Sequence, residues 1–233
     1  MNLLKNERFK VERVMFDDVV KFEGAKWIVH DERAAVVAVG KWHVCAFEDL
    51  SYFHEYAKRY GLYGDVSLFG APIDAPRILG FDSVPCKSFA YLQPMPPEVD
   101  LPRGVTVKRL APSLAQTVAC AYSNRGGGYT VERMSDIMKN KGVFGAIDGG
   151  KLAGFIGRHG DGSMGMLEVF DGFKRKGIGA ALERFLIGYI MTFGRVPICD
   201  VYVDNAASLA LQHKLGLTES DGYAFWFETE ENK

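Results

Sequence analysis

The sequence lacks any excess of charge of one sign. Its 233 residues hold 28 Lys and Arg against 29 Asp and Glu, which gives a formal net charge of -1. Proteins that bind nucleic acid usually carry a clustered basic surface, so we expect no nucleic-acid partner. Any site for an anionic ligand must therefore be built locally, from a few cations or backbone amides.

Cysteine is also scarce, and long hydrophobic runs are missing. The four cysteines form no C-x-x-C pair and lie far apart, at Cys45, Cys86, Cys120 and Cys199. Without metal-ligand spacing or disulfide density they are expected to be reduced thiols, and no metal is expected. The stretch MNLLKNERFKVERV lacks the apolar core of a signal peptide, and no segment approaches the roughly 20 apolar residues of a membrane span. These absences predict a cytoplasmic protein without a membrane partner.

Proline, in contrast, clusters at one place. The segment PMPPEVDLPRG, from Pro94 to Gly104, holds four prolines and little apolar periodicity, which is typical of a linker. We therefore predict an N-terminal α/β domain at 1–95, a linker at 96–103 and a C-terminal domain at 104–233. Both parts have a plausible domain size.

The hydrophobic periodicity predicts an α/β fold. After the linker, the apolar pattern alternates between strand and helix periods in the order β-α-α-β-β-β-α-β-α-β. The N-terminal part reads as three strands, a helix and a further strand. The predicted fold class is α/β, with a mixed central sheet flanked by helices.

Two segments resemble each other within the chain. RILGFDSVPCKSFAYL (77–92) and HKLGLTESDGYAFWFE (213–228) each combine a Leu-Gly helix exit, a polar turn and an aromatic strand. The spacings differ by about two residues. Two interpretations stay open: the N-terminal domain is a degenerate copy of the C-terminal one, or the similarity is chance.

A basic, glycine-containing stretch precedes the strongest helix. In FKRKGIGAALERF, Lys174, Arg175 and Lys176 run into Gly177-Ile178-Gly179. The N-terminus of a helix offers unpaired N–H groups, and glycines let a phosphate approach the backbone. The dinucleotide pattern G-x-G-x-x-G fails, because Leu182 occupies the third glycine position. The stretch alone indicates either a phosphate site or an ordinary basic loop.

Two motifs together resemble a known family. MLEVFDGFKRKGIGAAL is similar to motif A of the GCN5-related N-acetyltransferases, in which a strand and a turn lead to Gln/Arg-x-x-Gly-x-Gly/Ala at the start of a helix. DNAASLALQHKLGL is similar to the family's Asn-x-x-Ala/Ser-x-x-Leu-Tyr-x-Lys-x-Gly-Phe segment. The tandem arrangement is similar to that of glycine N-acyltransferase-like (FR47-like) proteins.

The resemblance implies an acyl-CoA N-acyltransferase fold that binds acetyl-CoA. Backbone amides of the loop would hold the pyrophosphate, and Leu167 and Val169 would pair with the pantetheine arm like an added strand. The N–H of Val169 would polarise the thioester carbonyl. The implied cofactor-binding residues are Leu167, Val169, Lys174, Arg175, Lys176, Gly177, Ile178, Gly179, Ala180, Asn205, Ser208 and Lys214.

The catalytic residues depart from the family pattern. Gln212 stands where the family often has a thiolate-protonating Tyr, so His213 or Tyr202 would substitute, or the thiolate would leave unaided. The family's strand Glu would fall near Ser163.

Four further residues are candidates for binding the acceptor amine or for removing its proton. Glu168, inside an apolar run where burial would raise its pKa, and Asp161 are candidate bases. Asp161 also fits a turn-forming role, and His159 fits a plain strand-end role. The segment NRGGGYT (124–130) resembles a substrate-binding loop or a flexible connector, with Tyr129 as an acceptor contact.

The sequence therefore predicts an N-acetyltransferase that moves an acetyl group from acetyl-CoA to a primary amine by direct attack in a ternary complex. The expected acceptor is a small amine or amino acid, and a homodimer is left open. The alternatives are a catalytically inactive acyl-CoA-binding sensor, a transferase using aminoacyl-tRNA, which the near-neutral charge disfavours, and a structural protein without cofactor.

Overall fold

The computed structural model describes residues 2–122 and 129–230. The helices are α1 (Lys10–Val19), α2 (Ser51–Tyr60), α3 (Ala75–Leu79), α4 (Ala115–Ala121), α5 (Val131–Asn140), α6 (Ile178–Met191) and α7 (Ala206–Lys214). The strands are β1 (Ala25–His30), β2 (Ala34–Val39), β3 (Trp42–Phe47), β4 (Gly64–Ala71), β5 (Cys86–Ala90), β6 (Val105–Arg109), β7 (Val143–Asp148), β8 (Lys151–Arg158), β9 (Met164–Val169), β10 (Ile198–Tyr202), β11 (Thr218–Glu219) and β12 (Tyr223–Thr229). The mixed sheet with flanking helices confirms the predicted fold class. Among the described residues, no helix has the length and apolarity that crossing a bilayer requires.

The chain folds into two compact units whose bounds differ from the sequence-based division. The first unit combines Met1–Ala90 with Asp200–Lys233, and the second spans Tyr91–Cys199. The end of the chain therefore packs with the N-terminal residues. The division at 96–103 stays a prediction about how the sequence is organised.

The first unit is built on a mixed sheet with the order β1-β2-β3-β4-β12-β5-β10, and β11 pairs with β5. Strands β3 and β4 run parallel over five residue pairs, from Trp42–Asp65 to Ala46–Phe69. Strand β12 is antiparallel to both β4 and β5. The last strand of the chain is therefore inserted between two strands of the N-terminal part.

Helix α1 was missed by the sequence-based prediction. Its apolar side recurs at helical spacing, with Val11, Met15, Phe16 and Val19 all buried. The same side also buries Glu12, which has no exposed surface. The recurrence of apolar residues at the spacing of an amphipathic helix was the available signal. The charged residues between them made this pattern difficult to recognise.

The second unit is an antiparallel sheet in the order β6-β7-β8-β9, with helices on both faces. Val143 packs into a core with α4 and α5 that includes Met134 and Phe155. The next residue, Phe144, makes edge contacts with Phe185 of α6. Because successive strand residues point to opposite faces, α4 and α5 cover one face and α6 covers the other.

Candidate functional site

The N-terminus of α6 presents backbone amides without a side-chain cap. Gly177 is the N-cap, with φ of 84°, and no acidic residue lies in the first turn. Helices α5 and α7, in contrast, are capped by Thr130 and Asn205. The first N–H groups of a helix have no intrahelical acceptor, so those of Ile178 to Ala180 are available to an anion.

The loop before α6 has a backbone that turns repeatedly through the left-handed region. Gly172, Arg175 and Gly177 have φ of 84°, 61° and 84°. The turns at Arg175 and Gly177, which directly precede α6, bring successive amides into a concave, anion-binding arrangement. Lys174 pairs with Asp171 at 2.8 Å within the loop. Because that cation is held by a neighbouring carboxylate, the backbone amides are the better candidate for phosphate contact.

Strand β9 is an edge strand with a bulge. Its pairing with β8 shifts register between Phe155 and Gly157, and Met166 has a positive φ of 55°. In the described part of the chain, Met166 and Arg175 are the two non-glycine residues with positive φ. Both belong to this region, and strained backbone of this kind clusters at functional sites.

The outer edge of β9 carries the backbone groups that the resemblance requires. The N–H of Phe170 donates to the carbonyl of Ala153 at 2.9 Å. Because hydrogen-bonded and non-bonded pairs alternate in an antiparallel ladder, Glu168 also faces β8. The N–H and C=O of Leu167 and Val169 consequently point away from β8, toward an edge without a partner strand among the described residues.

The edge of β9 and the start of α6 lie side by side. A Cβ built on Gly179 would lie 3.5 Å from Cγ2 of Val169 and 4.0 Å from Cδ2 of Leu167. These are ordinary contacts, so packing alone does not demand a glycine there. The structure thus brings together the loop residues and the two strand residues, and the donor set fits a phosphate followed by an extended amide chain.

The two predicted carboxylate bases occupy different settings. Asp161 accepts hydrogen bonds from the N–H of Ser163 at 2.9 Å and from its hydroxyl at 2.7 Å, which is a turn-forming arrangement. Glu168 is half-buried and opposite Phe155, so its side chain shares the sheet face of α4 and α5. A catalytic role for either stays a prediction.

A tyrosine–histidine pair stands on that same face. The hydroxyl of Tyr129 lies 2.6 Å from Nδ1 of His159, and the two rings stack at 6.1 Å. The sequence suggested each residue singly and missed the pair, because 30 residues separate them. The glycines of NRGGGYT, Gly126 to Gly128, lie outside the described residues.

The remaining predicted cofactor residues belong to the first compact unit. Asn205 caps α7 by accepting a hydrogen bond from the N–H of Ser208 at 3.1 Å. This cap uses Oδ1 of Asn205 and leaves Nδ2 out of the bond. Lys214 is exposed in the last turn of α7, where a cation also complements the helix dipole. A cofactor role for these three residues stays a prediction.

The residues considered for thiolate protonation lie on or near α7. Gln212 is buried, at 2% exposure. His213 forms a contact of 3.1 Å from Nε2 to Oε2 of Glu219, and Tyr202 ends β10. Gln212 has no titratable proton, so the geometry leaves the leaving group's proton unassigned.

Part of the chain matches a family model, and solved structures resemble its fold. Residues 140–226 match the model of the family described as FR47-like protein. A Drosophila protein of known structure is 18% identical, with a TM-score of 0.62 over 86% of this chain and 75% of its own. A GCN5-related N-acetyltransferase from Sphaerobacter thermophilus is 15% identical, with a TM-score of 0.52 over 90% of this chain and 78% of its own.

A GCN5-related N-acetyltransferase-like protein from Streptococcus suis is 15% identical, with a TM-score of 0.53 over 95% of this chain and 98% of its own. A search of curated proteins gives no match. At these identities the structural likeness concerns the fold. The chain has the fold of the GCN5-related N-acetyltransferase superfamily, with FR47-like features at 140–226, and this confirms the resemblance stated from the sequence.

Proposed function

We propose that the protein is an acyl-CoA-dependent N-acyltransferase that moves an acetyl group from acetyl-CoA to a primary amine by direct attack in a ternary complex. The observation that carries the proposal is the open, bulged edge of β9 beside an uncapped helix N-terminus. Acetyl-CoA supplies an activated thioester when bound. A small amine or amino acid is the proposed acceptor.

The open edge of β9 suits an extended amide chain. Backbone N–H and C=O groups of Leu167 and Val169 face outward, as the pairing of Phe170 with Ala153 requires. An extended ligand can add to such an edge through main-chain hydrogen bonds. The N–H of Val169 is the proposed donor to the thioester oxygen, and one such donor is worth a few kcal/mol.

The start of α6 suits a diphosphate. Amides of Gly177, Ile178, Gly179 and Ala180 stand at the positive end of a 14-residue helix without a competing carboxylate in its first turn. The side chains of Arg175 and Lys176 are exposed and would add long-range attraction. Because the glycines leave the amides uncovered, the backbone is the principal binding element.

A second candidate function is an acyl-CoA sensor without turnover. Gln212 is buried and cannot give up a proton, and the strand position near Ser163 carries no carboxylate. Both facts favour binding without catalysis. Measurement of free thiol with acetyl-CoA and a panel of amines separates the two, because a sensor binds CoA and releases no thiol beyond the protein-free blank.

The binding site is tested by Gly177→Glu, with Gly172→Glu as its matched control. Both glycines have φ of 84°, so both variants carry the same charge and similar backbone strain. A Cβ at Gly172 meets nothing within 4 Å, and one at Gly177 meets only Pro102, at 3.8 Å. Only Gly177 is the N-cap of α6.

We expect CoA at about 100 times its dissociation constant to stabilise the unchanged protein by about 2.7 kcal/mol, or roughly 5–10 °C in melting temperature. Gly172→Glu should keep most of this rise, whereas Gly177→Glu should lose it. If Gly177→Glu retains the full rise, α6 does not hold the phosphates and the proposal fails.

A further inference from the structure

Tyr129 and His159 form a hydrogen-bonded pair that the cofactor site does not use. Their Oη and Nδ1 atoms are 2.6 Å apart, and the ring planes differ by 21°. Tyr129 lies just before α5, and His159 follows the last residue of β8. Since the two residues come from different elements, the contact is a product of the fold.

The imidazole is held in one place from below. A Cβ added at Gly165 would collide with Nε2 of His159, so the ring lies directly on the backbone of β9. The backbone N–H of His159 also donates to the backbone carbonyl of Ser163, at 2.9 Å. Glycine at 165 is therefore required by the position of the imidazole.

The phenol is held from the other side. The guanidinium carbon of Arg133 lies 4.7 Å from the centroid of the Tyr129 ring. The backbone of Arg133 is itself fixed by the Thr130 cap, at 3.2 Å. Both members of the pair are thus preorganised before any ligand arrives.

Burial of the pair favours a neutral imidazole and a protonated phenol. Burial lowers the pKa of His159, an effect that Asp161 opposes and Arg133 reinforces. Burial raises the pKa of Tyr129, which Arg133 lowers and Asp161 raises. At neutral pH the phenol of Tyr129 therefore keeps its proton, which lies in the hydrogen bond between Oη and Nδ1. The neutral imidazole of His159 can accept one further proton.

The pair lies against the strand that carries the proposed thioester position. Gly165 precedes Val169 by four residues on β9, so their Cα atoms are at most about 14 Å apart. Gly157 is opposite Gly165, and a Cβ at Gly157 would meet Met166 and Val143, which belong to the core of α4 and α5. The pair thus lies on the α4–α5 face of the strand whose edge would hold the acyl donor.

We propose that Tyr129 and His159 take the proton from the attacking amine. The amine nitrogen bonds to the acyl carbon and the C–S bond breaks, so that the electron pair leaves with the thiolate. The amine's proton passes to Oη of Tyr129 while the phenolic proton passes to Nδ1 of His159. The imidazolium then releases its proton to water or to the thiolate. This step rests on the proposed function and assigns its base to the pair, ahead of Glu168.

The experiment compares two kinds of acceptor. A primary amine is mostly protonated at neutral pH and needs a base, whereas hydroxylamine is largely unprotonated and does not. The full chain and the variants His159→Gln, Tyr129→Phe and Glu168→Gln are assayed by thiol release from acetyl-CoA. Glycine, phenylalanine, lysine and putrescine are the amine probes, with protein-free blanks. His54→Gln, at an exposed histidine on α2, is the control.

We expect His159→Gln to lower kcat/KM for the amine by roughly 10²–10⁴-fold, the usual worth of a general base, and Tyr129→Phe to lower it as well. Transfer to hydroxylamine should stay within a few-fold of the unchanged protein, and the acid limb of the amine pH profile should move in His159→Gln to the pKa of the amine itself. The melting-temperature rise with CoA should persist in both variants.

Three results would overturn the proposal. Unchanged amine transfer in His159→Gln, with or without a loss in Glu168→Gln, removes the pair from the reaction while the proposed function stands. Equal loss with amine and hydroxylamine assigns the pair a structural role. If the unchanged protein binds CoA and transfers to none of the amines, acyl transfer and proton relay both fail, and CoA binding remains.

Discussion

Glu12 makes the stability of the protein depend on pH. The carboxyl group has no exposed surface and lies on α1, next to the backbone of Gly70. Burial raises its pKa from the usual 4.5 to about 7, with Asp221 adding to the rise and Arg8 and Lys87 opposing it. In the unfolded chain the carboxyl of Glu12 is exposed to water, so its pKa has the usual value of 4.5.

The magnitude follows from the two pKa values. Each pKa unit corresponds to about 1.4 kcal/mol, so a rise from 4.5 to about 7 is worth about 3 kcal/mol. Between those two pH values the folded state binds more protons than the unfolded state, and the free energy of unfolding falls as pH rises. The contribution is fully present below pH 4.5 and is lost as pH passes through about 7.

The perturbation is Glu12→Gln, which stays neutral at every pH. We expect its free energy of unfolding, relative to the unchanged protein, to rise by about 3 kcal/mol between pH 4.5 and pH 8. Urea unfolding followed by tryptophan fluorescence at several pH values measures this difference. Glu55→Gln, at an exposed position on α2, should show no comparable trend. A Glu12→Gln difference that does not change with pH would refute the argument, whatever its size.

Two further predictions concern the backbone of the first unit and the number of cofactor sites. A Cβ at Gly222 would collide with the backbone of Gly70, so Gly222→Ala should destabilise by about 1–3 kcal/mol, whereas Gly160→Ala, with nothing within 4 Å of its Cβ, should be nearly neutral in urea unfolding. Calorimetric titration with CoA should give one site per chain, and two sites would contradict the account of the N-terminal part given below.

Local patterns in the sequence predicted most of the secondary structure. Alternation over 142–148 and 151–159 corresponds to β7 and β8, and the apolar run after Gly177 corresponds to α6. These elements obey short-range rules of periodicity and capping. The loop that is proposed to bind phosphate could be located for the same reason, because its residues are contiguous.

Non-local pairing could not be predicted in this way. Strand β12 lies between β4 and β5, although more than a hundred residues separate it from either. A local sequence pattern can indicate a strand, but it does not indicate which other strand pairs with it. The same holds for Tyr129 and His159, whose contact depends on how α5 docks against β8. The sequence indicated Tyr129 and His159 as separate candidates and did not predict that they are in contact.

The pairing within the first unit bears on the internal repeat. The order of three antiparallel strands, a helix, a strand, a short helix and a strand occurs in β1 to β5 and again in β7 to β12, apart from the short β11. In the N-terminal series, β3 and β4 pair in parallel over five residue pairs. The edge that corresponds to the open edge of β9 is therefore already filled by a strand.

The loop that corresponds to the phosphate loop also differs in charge. Between β3 and α2 the chain carries Glu48 and Asp49, and Asp49 accepts a hydrogen bond from the N–H of Ser51 at 2.8 Å. A carboxylate in this place satisfies the first amide of α2, that of Ser51, and repels phosphate. If the N-terminal part is a copy of the acyltransferase fold, it has lost both features proposed to hold the cofactor, the open strand edge and a helix start without a carboxylate beside its first amide. Its remaining contribution is structural, because β4 and β5 provide the neighbours for the last strand of the chain.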